Sequence, residues 1–248
     1  LLAAERHALI LGRLERDRYA TVDDLAAALA TSTATVRRDL GVLEEARLLE
    51  RVHGGAVVTR AAAVPPPPTG QDEALANAVY AQLVPGDAVI LEGQLFMGLV
   101  ARRLASHPMR LIIVTNGLEV ARTLFGRPGI EVILLGGKVH PGGHTLPQPL
   151  GSNDLHFLVA NKAFVEAEGV HPTVGVTTTG GEEARFKADL LHHALHKTIV
   201  APFSRFGLAF AHPVAATREI DRWITSRVDP AAREGVASLG CEVLESVL

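Results

Sequence analysis

The sequence predicts two units in series: a short helical unit closed by a hairpin, then a larger α/β unit with a mostly parallel sheet and flanking helices. Three observations predict this. Two closely spaced helical apolar stripes lie before Ala46, and a Gly54-Gly55 turn follows. A run from Ala61 to Pro68, ending in four consecutive prolines, then breaks the pattern. Beyond it, short apolar runs alternate with helical patterns to the end of the chain, the signature of α/β layers. The reading divides the chain into residues 1–59, a Pro-rich linker at 60–71, and residues 72–248. Four prolines favour a polyproline II spacer of about 12 Å, at about 3.1 Å per residue.

Composition narrows the function classes. Apolar residues make up 48% of the 248, enough for a substantial core. Set against 27 acidic residues, the 24 basic ones leave a net charge of −3. The whole chain therefore carries no nucleic-acid footprint, although a local one remains open. Cys241 is the single cysteine and can form no internal disulfide, so a reducing cytoplasm is the expected setting. It falls in an apolar strand pattern and reads as a small buried hydrophobe. No apolar run approaches the ~18 residues a membrane span needs, so no membrane partner is expected. The start, Leu1 to Arg6, does not read as a signal peptide, and the absent initiator Met reads as a trimmed chain.

In the first unit, a helix is expected from Ala3 to Arg16. Thr21 opens a second, with Asp24 at the capping-box position and Val22, Leu25, Ala26 and Leu29 as its buried stripe. Ser32 caps a third helix, Thr33 to Glu45, whose stripe is Val36, Leu40 and Leu43. Two short helices joined by a tight turn make a helix-turn-helix. At about 100° per residue, Ala34, Arg38, Gly41 and Glu45 lie opposite Val36, flanked by Thr35 and Arg37. Small side chains at Ala34 and Gly41 let such a helix sit deep in a major groove. Arg38 is then placed for a base edge or a phosphate, and Thr35 and Arg37 for phosphates or base edges. The competing reading is a solvated face on which Asp39 compensates Arg37. Strands at Leu48–Val52 and Ala56–Val58 around His53-Gly54-Gly55 form a hairpin, the wing of a winged helix, with Arg51 and His53 in reach of phosphate; equally, His53 shapes the turn. The candidate DNA-binding residues are Ser32, Thr33, Ala34, Thr35, Arg37, Arg38, Arg51, His53 and Gly54. Residues 1–60 hold nine arginines and nine acidic residues, so one copy is expected to bind weakly and to depend on dimerisation.

In the second unit, strands are expected near Ala88–Leu91, Leu111–Thr115, Glu131–Leu135, Lys162–Val165, Thr198–Ala201, Trp223–Thr225 and Glu242–Leu244. The main helices expected are Gln71–Leu83, Leu118–Phe125, Glu182–Leu195 and Pro230–Leu239. Ligands bind at strand ends of open α/β sheets. The candidates there are Glu92-Gly93-Gln94-Leu95-Phe96, Thr115-Asn116, Gly136-Gly137, Glu166 and Glu168, and Arg205, with Glu183 and Lys187 one helical turn apart. Each alone reads as readily as a plain turn; their recurrence favours a pocket. His192, His193 and His196 are expected on one helix, without a third acidic ligand, so no metal is expected. His140 to His144 reads as a mobile loop or a lid. No dinucleotide or P-loop motif is present, so no cofactor is expected.

The run Thr35-Val36-Arg37-Arg38-Asp39-Leu40, then Leu43-Glu44, then Arg51-Val52-His53-Gly54-Gly55-Ala56, resembles the signature of the DeoR family of bacterial repressors. Ala46-Arg47 departs from it where the family has a glycine at the helix end. The resemblance continues through Val114-Thr115-Asn116, Leu135-Gly136-Gly137, Phe164, Gly169, Glu183-Ala184 with Lys187, Ser204, Phe206-Gly207 and Ile220-Asp221. It implies a sensor domain folded like ribose-5-phosphate isomerase and an effector that is a sugar or sugar derivative, usually phosphorylated. Three departures bear on the effector. The family's Asp-Ser-Gly-Thr-Thr loop, which cradles phosphate, reads Glu92-Gly93-Gln94-Leu95-Phe96 here. Its Gly-Ala-Asp-Gly reads Glu166-Ala167-Glu168-Gly169, and its Asp-x-Ser-Lys reads Pro202-Phe203-Ser204-Arg205. Bulky Phe96 is expected to narrow the cleft. Two ligands fit: a hydroxyl-rich, less anionic one on Glu92, Gln94, Asn116 and Glu168, or a phosphorylated one shifted toward Lys187 and Arg205.

The resemblance implies a repressor of a carbohydrate-metabolism operon rather than an enzyme, binding double-stranded operator DNA as a dimer or tetramer. Two alternatives stay open: a sugar-phosphate isomerase with Glu183 as base, and a regulator whose sensor only oligomerises. For the leading reading, Arg38→Ala is expected to cost on the order of 1–3 kcal/mol at the operator and relax specificity at one position. Arg37→Ala is expected to weaken all sequences alike and flatten the salt dependence. Binding isotherms at several salt concentrations check both, and unchanged operator affinity in both variants contradicts the assignment.

Overall fold

The computed structural model describes residues 3–17, 19–46, 48–52, 54–58, 68–93, 95–137 and 158–246. Most of the linker expected at 60–71, together with His53, Gln94 and the His140–His144 loop, lies outside these residues.

Helix α1 (Ala3–Asp17) is followed by a short strand β1 (Tyr19–Thr21), α2 (Val22–Ala28) and α3 (Thr33–Glu45). Both helix starts follow the sequence logic. Thr21 Oγ1 accepts from the Asp24 N–H at 3.0 Å, and Ser32 Oγ accepts from the Thr35 N–H at 3.1 Å. Between the helices Ala30 takes φ +47°, a left-handed conformation rare outside glycine, asparagine and aspartate. Strands β2 (Leu49–Val52) and β3 (Gly55–Val58) form the expected hairpin, and β1 adds to β3 to make a three-stranded antiparallel wing. Three residues with alternation over a single step give no period, so β1 is invisible in the sequence. Val36, Leu40 and Leu43 all face the core with Ile10, Leu14, Leu25 and Leu29.

Asp39 corrects the sequence reading. It does not lie on the solvated face beside Arg37; it is buried. Arg6 of α1 grips its carboxylate with Nε at 2.7 Å and Nη2 at 3.0 Å, and His7 Nε2 approaches at 3.2 Å. Burial pushes the His7 imidazole below its ordinary range, against the opposing pull of Asp39, so the neutral ring donates to the carboxylate. The pair bolts α1 across α3.

After α4 (Gly70–Tyr80), capped by Thr69 and Asp72, the chain builds a seven-stranded sheet. Its strands are β4 (Ala88–Glu92), β5 (Leu111–Thr115), β6 (Ile130–Leu134), β7 (Ala160–Glu166), β10 (Ala194–Val200), β12 (Arg222–Thr225) and β13 (Glu242–Glu245). The order is β13-β12-β10-β7-β4-β5-β6, and every pairing is parallel. Helices α5 (Leu95–Ser106), α6 (Leu118–Leu124), α7 (Gly181–His192) and α8 (Arg233–Ala237) complete the layers. A sheet covered on both faces needs runs that are apolar on both sides, and the middle of β4 and the latter parts of β7, β10 and β12 comply. Val89 and Leu91 enter a core with α4 and α5, while Ile90 faces the opposite core with Phe186 and Leu190 of α7. Phe164 and Val165, Val200 and Ile199, and Ile224 and Trp223 divide in the same way.

A small antiparallel sheet of β8 (Gly169–His171), β9 (Gly175–Thr178) and β11 (His212–Ala215), in the order β11-β9-β8, lies outside the expected strands. The expected Glu182–Leu195 helix is shorter: α7 stops at His192 and Leu195–His196 belong to β10. His192 and His196 therefore do not share a helix face. Cys241 is only half-buried and precedes β13. Among the described residues, no helix is long and apolar enough to cross a membrane.

Among the described residues, an apolar cluster joins the two units. Leu208 and Phe210, both buried, belong to the same cluster as Ile10, Leu25, Leu40 and Leu43. The segment that carries them is anchored on the sensor side. Phe206 stacks between Phe203 and Trp223 at 5.6 and 6.0 Å, Gly207 N–H donates to Val170 O at 2.8 Å, and Phe210 N–H donates to Thr177 Oγ1 at 3.0 Å.

Removing the Asp39 carboxylate takes this acceptor from three N–H groups, two on Arg6 and one on His7. Asp39→Ala is expected to destabilise the helical unit by about 1–3 kcal/mol, with Asp39→Asn intermediate. Urea denaturation checks this; a change within about 0.5 kcal/mol, the range of ordinary surface substitutions, contradicts it.

Candidate functional site

On the helical unit, Ala34, Arg37, Arg38 and Glu45 are exposed, with Thr33, Thr35 and Gly41 half-buried beside them and Ser32 exposed at the helix start. Neither Arg37 nor Arg38 has an ion pair or hydrogen bond with a described residue. Arg51, on the wing, is steadied by Glu44: its N–H donates to Glu44 Oε1 at 2.9 Å and its guanidinium lies 3.9 Å from the same carboxylate. A Cβ on Gly41 would sit 4.0 Å from Arg51 Nη1, so the wing and α3 meet at that point. Gly54 turns the wing at φ +78°, and its carbonyl accepts from Val22 N–H at 2.9 Å. Arg37, Arg38 and Arg51 thus form an uncovered cationic border where α3 meets the wing.

The sheet order places the second candidate site. From β4 the chain adds β5 and β6 on one side, then crosses to β7 and adds β10, β12 and β13 on the other. The reversal between β4 and β7 is a topological switch point, where a crevice opens at the carboxyl ends of the strands. Glu92 ends β4 and Glu166 ends β7, one on each lip, with Glu92 in register with Val165.

Lys187 comes up from α7 into this crevice. Its ammonium is buried and donates to Glu166 O at 2.5 Å and to Glu183 Oε1 at 2.8 Å, and it lies 3.5 Å from Glu92 Oε2. Burial works against its charge, but Glu92, Glu183 and Glu168 outweigh that and hold it firmly protonated. Glu92, only 2% exposed, is pushed up to about 7, chiefly by burial; Lys187 opposes the shift, Glu183 and Glu166 add to it, and Asn116 opposes it. Asn116 Nδ2 faces Glu92 Oε1 at 3.5 Å. Glu168 is fixed by the end of β9, accepting from Thr178 Oγ1 at 2.8 Å and Thr179 N–H at 2.7 Å.

The structure brings Glu92, Gly93, Asn116, Glu166, Glu168, Glu183 and Lys187 together, while Gln94 lies outside the described residues. Thr115 is committed inward, donating to Leu91 O at 2.7 Å and accepting from Gly117 N–H at 3.0 Å. Phe96 does not narrow the cleft: its ring packs in the core with Met97 and Val100, and only its backbone reaches the site. Leu95 likewise packs against that core. Gly136 and Gly137 follow edge strand β6, with open space around Gly136. Arg205 sits half-buried in the single 3-10 turn Phe203–Arg205 after β10. Sequence reasoning missed Thr178 and Thr179, because a polar threonine run reads as loop.

The molecule thus sets exposed arginines on one unit and a buried, acid-rich crevice on the other. Residues 6–61 match the DeoR-like helix-turn-helix domain, and residues 69–227 match the DeoR C terminal sensor domain. The chain belongs to the DeoR family of transcription regulators. It is 27% identical over 251 residues to the putative aga operon transcriptional repressor of Escherichia coli O157:H7, spanning 97% of this chain and 93% of that one. It is 30% identical over 263 residues to the HTH-type transcriptional regulator GlpR of Haloferax volcanii, spanning 100% and 99%, and 28% identical over 238 residues to the HTH-type transcriptional repressor CsqR of Escherichia coli K12, spanning 92% and 89%. Among solved structures it is similar to ribose 5-phosphate isomerase A of Methanocaldococcus jannaschii, at 13% identity over 55% of this chain and 53% of that one, with a TM-score of 0.39.

The raised Glu92 pKa has a defined sign in stability. Between about 4.5 and about 7 the folded chain holds a proton at Glu92 that the unfolded chain has lost, so this group's contribution falls as pH rises through that window. Glu92→Gln is expected to lose less stability than wild type between pH values at the two ends of the window. Parallel urea-denaturation results for the two proteins contradict the assignment.

Proposed function

We propose that this protein is a repressor of a sugar-related operon, working in the cytoplasm as a homo-oligomer, dimer or tetramer, and controlled by a small effector in the crevice. Residues 1–59 form the DNA-binding head, 60–71 the linker and 72–248 the sensor. Ser32 to Thr35, Arg37, Arg38, Arg51, His53 and Gly54 face DNA. Glu92, Asn116, Glu168, Glu183 and Lys187 face the effector. The name of the aga operon repressor supports the operon class.

The observation that carries this reading is the shared apolar cluster. Leu208 and Phe210 pack with the residues that seat α3, while their own backbone hangs from β8 and β9. The end of β9 holds Glu168 in the crevice. An effector that repositions Glu168 or its threonine partners pulls on the surface that positions Arg37 and Arg38. Control is then linkage: the effector prefers an arrangement in which the paired heads fit the operator badly. Pairing is required because a head without net positive charge gains affinity mainly through the effective concentration of a second copy.

The test is a gel shift with the protein's own upstream DNA, titrated with sugars and sugar derivatives. Wild type is expected to retard the DNA and to release it with one of them. Phe210→Ala is expected to keep both ligand and DNA binding yet lose the release. Failure to retard any upstream fragment contradicts DNA control, and an unchanged ligand response in Phe210→Ala contradicts the coupling.

A further inference from the structure

The first N–H groups of a helix have no partner inside it, and α5 starts at the lip of the crevice. In this chain three of those groups are already taken. Glu166 Oε1 accepts from Phe96 N–H at 2.9 Å and from Met97 N–H at 3.3 Å, and the Leu95 N–H serves the same carboxylate. Gly93 makes the room: its φ is +128°, and a Cβ there would fall 2.4 Å from Glu166 Cγ and Cδ. A carboxylate fixed on several N–H groups at a helix start occupies the place where an external phosphate would otherwise bind. The positive end of α5 is neutralised from within.

Among the described residues one ammonium is buried, that of Lys187, and it is engaged as well. An ammonium has three N–H bonds; Lys187 gives two of them to Glu166 O and Glu183 and lies 3.5 Å from Glu92 Oε2, an ion pair that leaves that oxygen without a hydrogen bond. Four carboxyl groups, those of Glu92, Glu166, Glu168 and Glu183, bear on this crevice, so a dianion entering it meets repulsion. What remains open is of the other kind. Glu92 Oε2 and Asn116 Oδ1, on residues 2% and 1% exposed, have no hydrogen-bond partner among the described residues. An unpaired polar atom in a buried place is unfavourable until a donor reaches it.

We propose that the crevice takes a ligand without a phosphate, a polyhydroxyl compound that is neutral or amine-bearing, whose donors engage Glu92 Oε2 and Asn116 Oδ1 while the Glu166 carboxylate holds the anion seat at the start of α5. This deepens the effector reading above and rests on it for the role of the crevice as a sensor; the ligand class stands on the geometry of the crevice. Of the two ligands the sequence left open, the proposal selects the less anionic one.

Calorimetry on the full chain tests it, with inorganic phosphate and with a free hexose, its alditol and its 2-amino derivative, each beside its 6-phosphate. Wild type is expected to bind at least one unphosphorylated compound and to show no saturable heat with inorganic phosphate. The hexose and alditol read the neutral form, and the amino sugar reads the cationic one. Asn116→Ala is expected to weaken the bare compound about tenfold, the loss of one buried hydrogen bond. Glu166→Ala uncovers the helix start and is expected to gain inorganic phosphate affinity by about tenfold or more. Should that variant fail to fold, Glu166→Gln removes the charge in the same space and is expected to show a smaller gain. Tighter binding of any 6-phosphate than of its parent, silence from every bare compound, or no phosphate gain in a folded Glu166 variant overturns the proposal. A bare compound that binds yet leaves the operator complex intact supports the ligand class and counts against the regulator reading.

Discussion

The sensor is organised around one buried positive charge. An ammonium in an apolar interior persists only where several acceptors surround it, and Lys187 finds them on three separate elements: the end of β4, the end of β7 and its own helix one turn earlier. These contacts set the roll of α7 against the sheet and pin the two strands that flank the switch point. With that fixed, Glu166 can reach the start of α5, and Glu168 can lie against the end of β9. The crevice is therefore held open by electrostatics on one side and by two covered apolar faces beneath it. Its acid excess is tolerated because Glu183 is partly in water and Glu92 keeps a proton over part of the physiological range.

How much of this was legible in the sequence depends on how local each feature is. Periods of 3.6 and 2 repeat over enough residues to locate α2, α3 and all seven strands of the large sheet, with ends displaced by a few residues. Val89-Ile90-Leu91 reads as a strand because both faces must be apolar. The small sheet was not legible: Gly169–His171 and Gly175–Thr178 are short, glycine-broken and rich in threonine. α5 was hard to pick out because Leu95 to Ala101 is apolar on every side and offers no stripe. The end of α7 was misplaced because Ala194-Leu195 continues an apolar helical pattern, and only pairing with β7 and β12 makes it a strand.

The site was legible as a set of residues but not as an arrangement. Glu183 and Lys187 are one turn apart, so their pairing follows from helix geometry. Glu166 and Phe96 are 70 residues apart, and no local rule announces that a carboxylate will cap a helix on the far side of a crevice. The same holds for Asp39, whose partners Arg6 and His7 lie 33 and 32 residues earlier. Its inward turn takes the adjacent acid off the outer face of α3, so Arg37 and Arg38 have no ion pair with a described residue although the unit as a whole carries no net positive charge.

The cluster shared by Leu208, Phe210 and the helical unit also limits modularity. Family members of this layout invite recombination, joining the DNA-reading part of one to the sensing part of another at the Pro-rich junction. In this chain such a cut severs a core as well as a linker. A transplanted head would expose the apolar patch that Leu208 and Phe210 now cover, and the donor sensor would be left with two solvent-facing hydrophobes on a segment stacked against Trp223. A workable chimera has to carry the Phe206–Phe210 segment, or matched replacements for it, together with the head, so the natural unit of exchange is discontinuous in sequence.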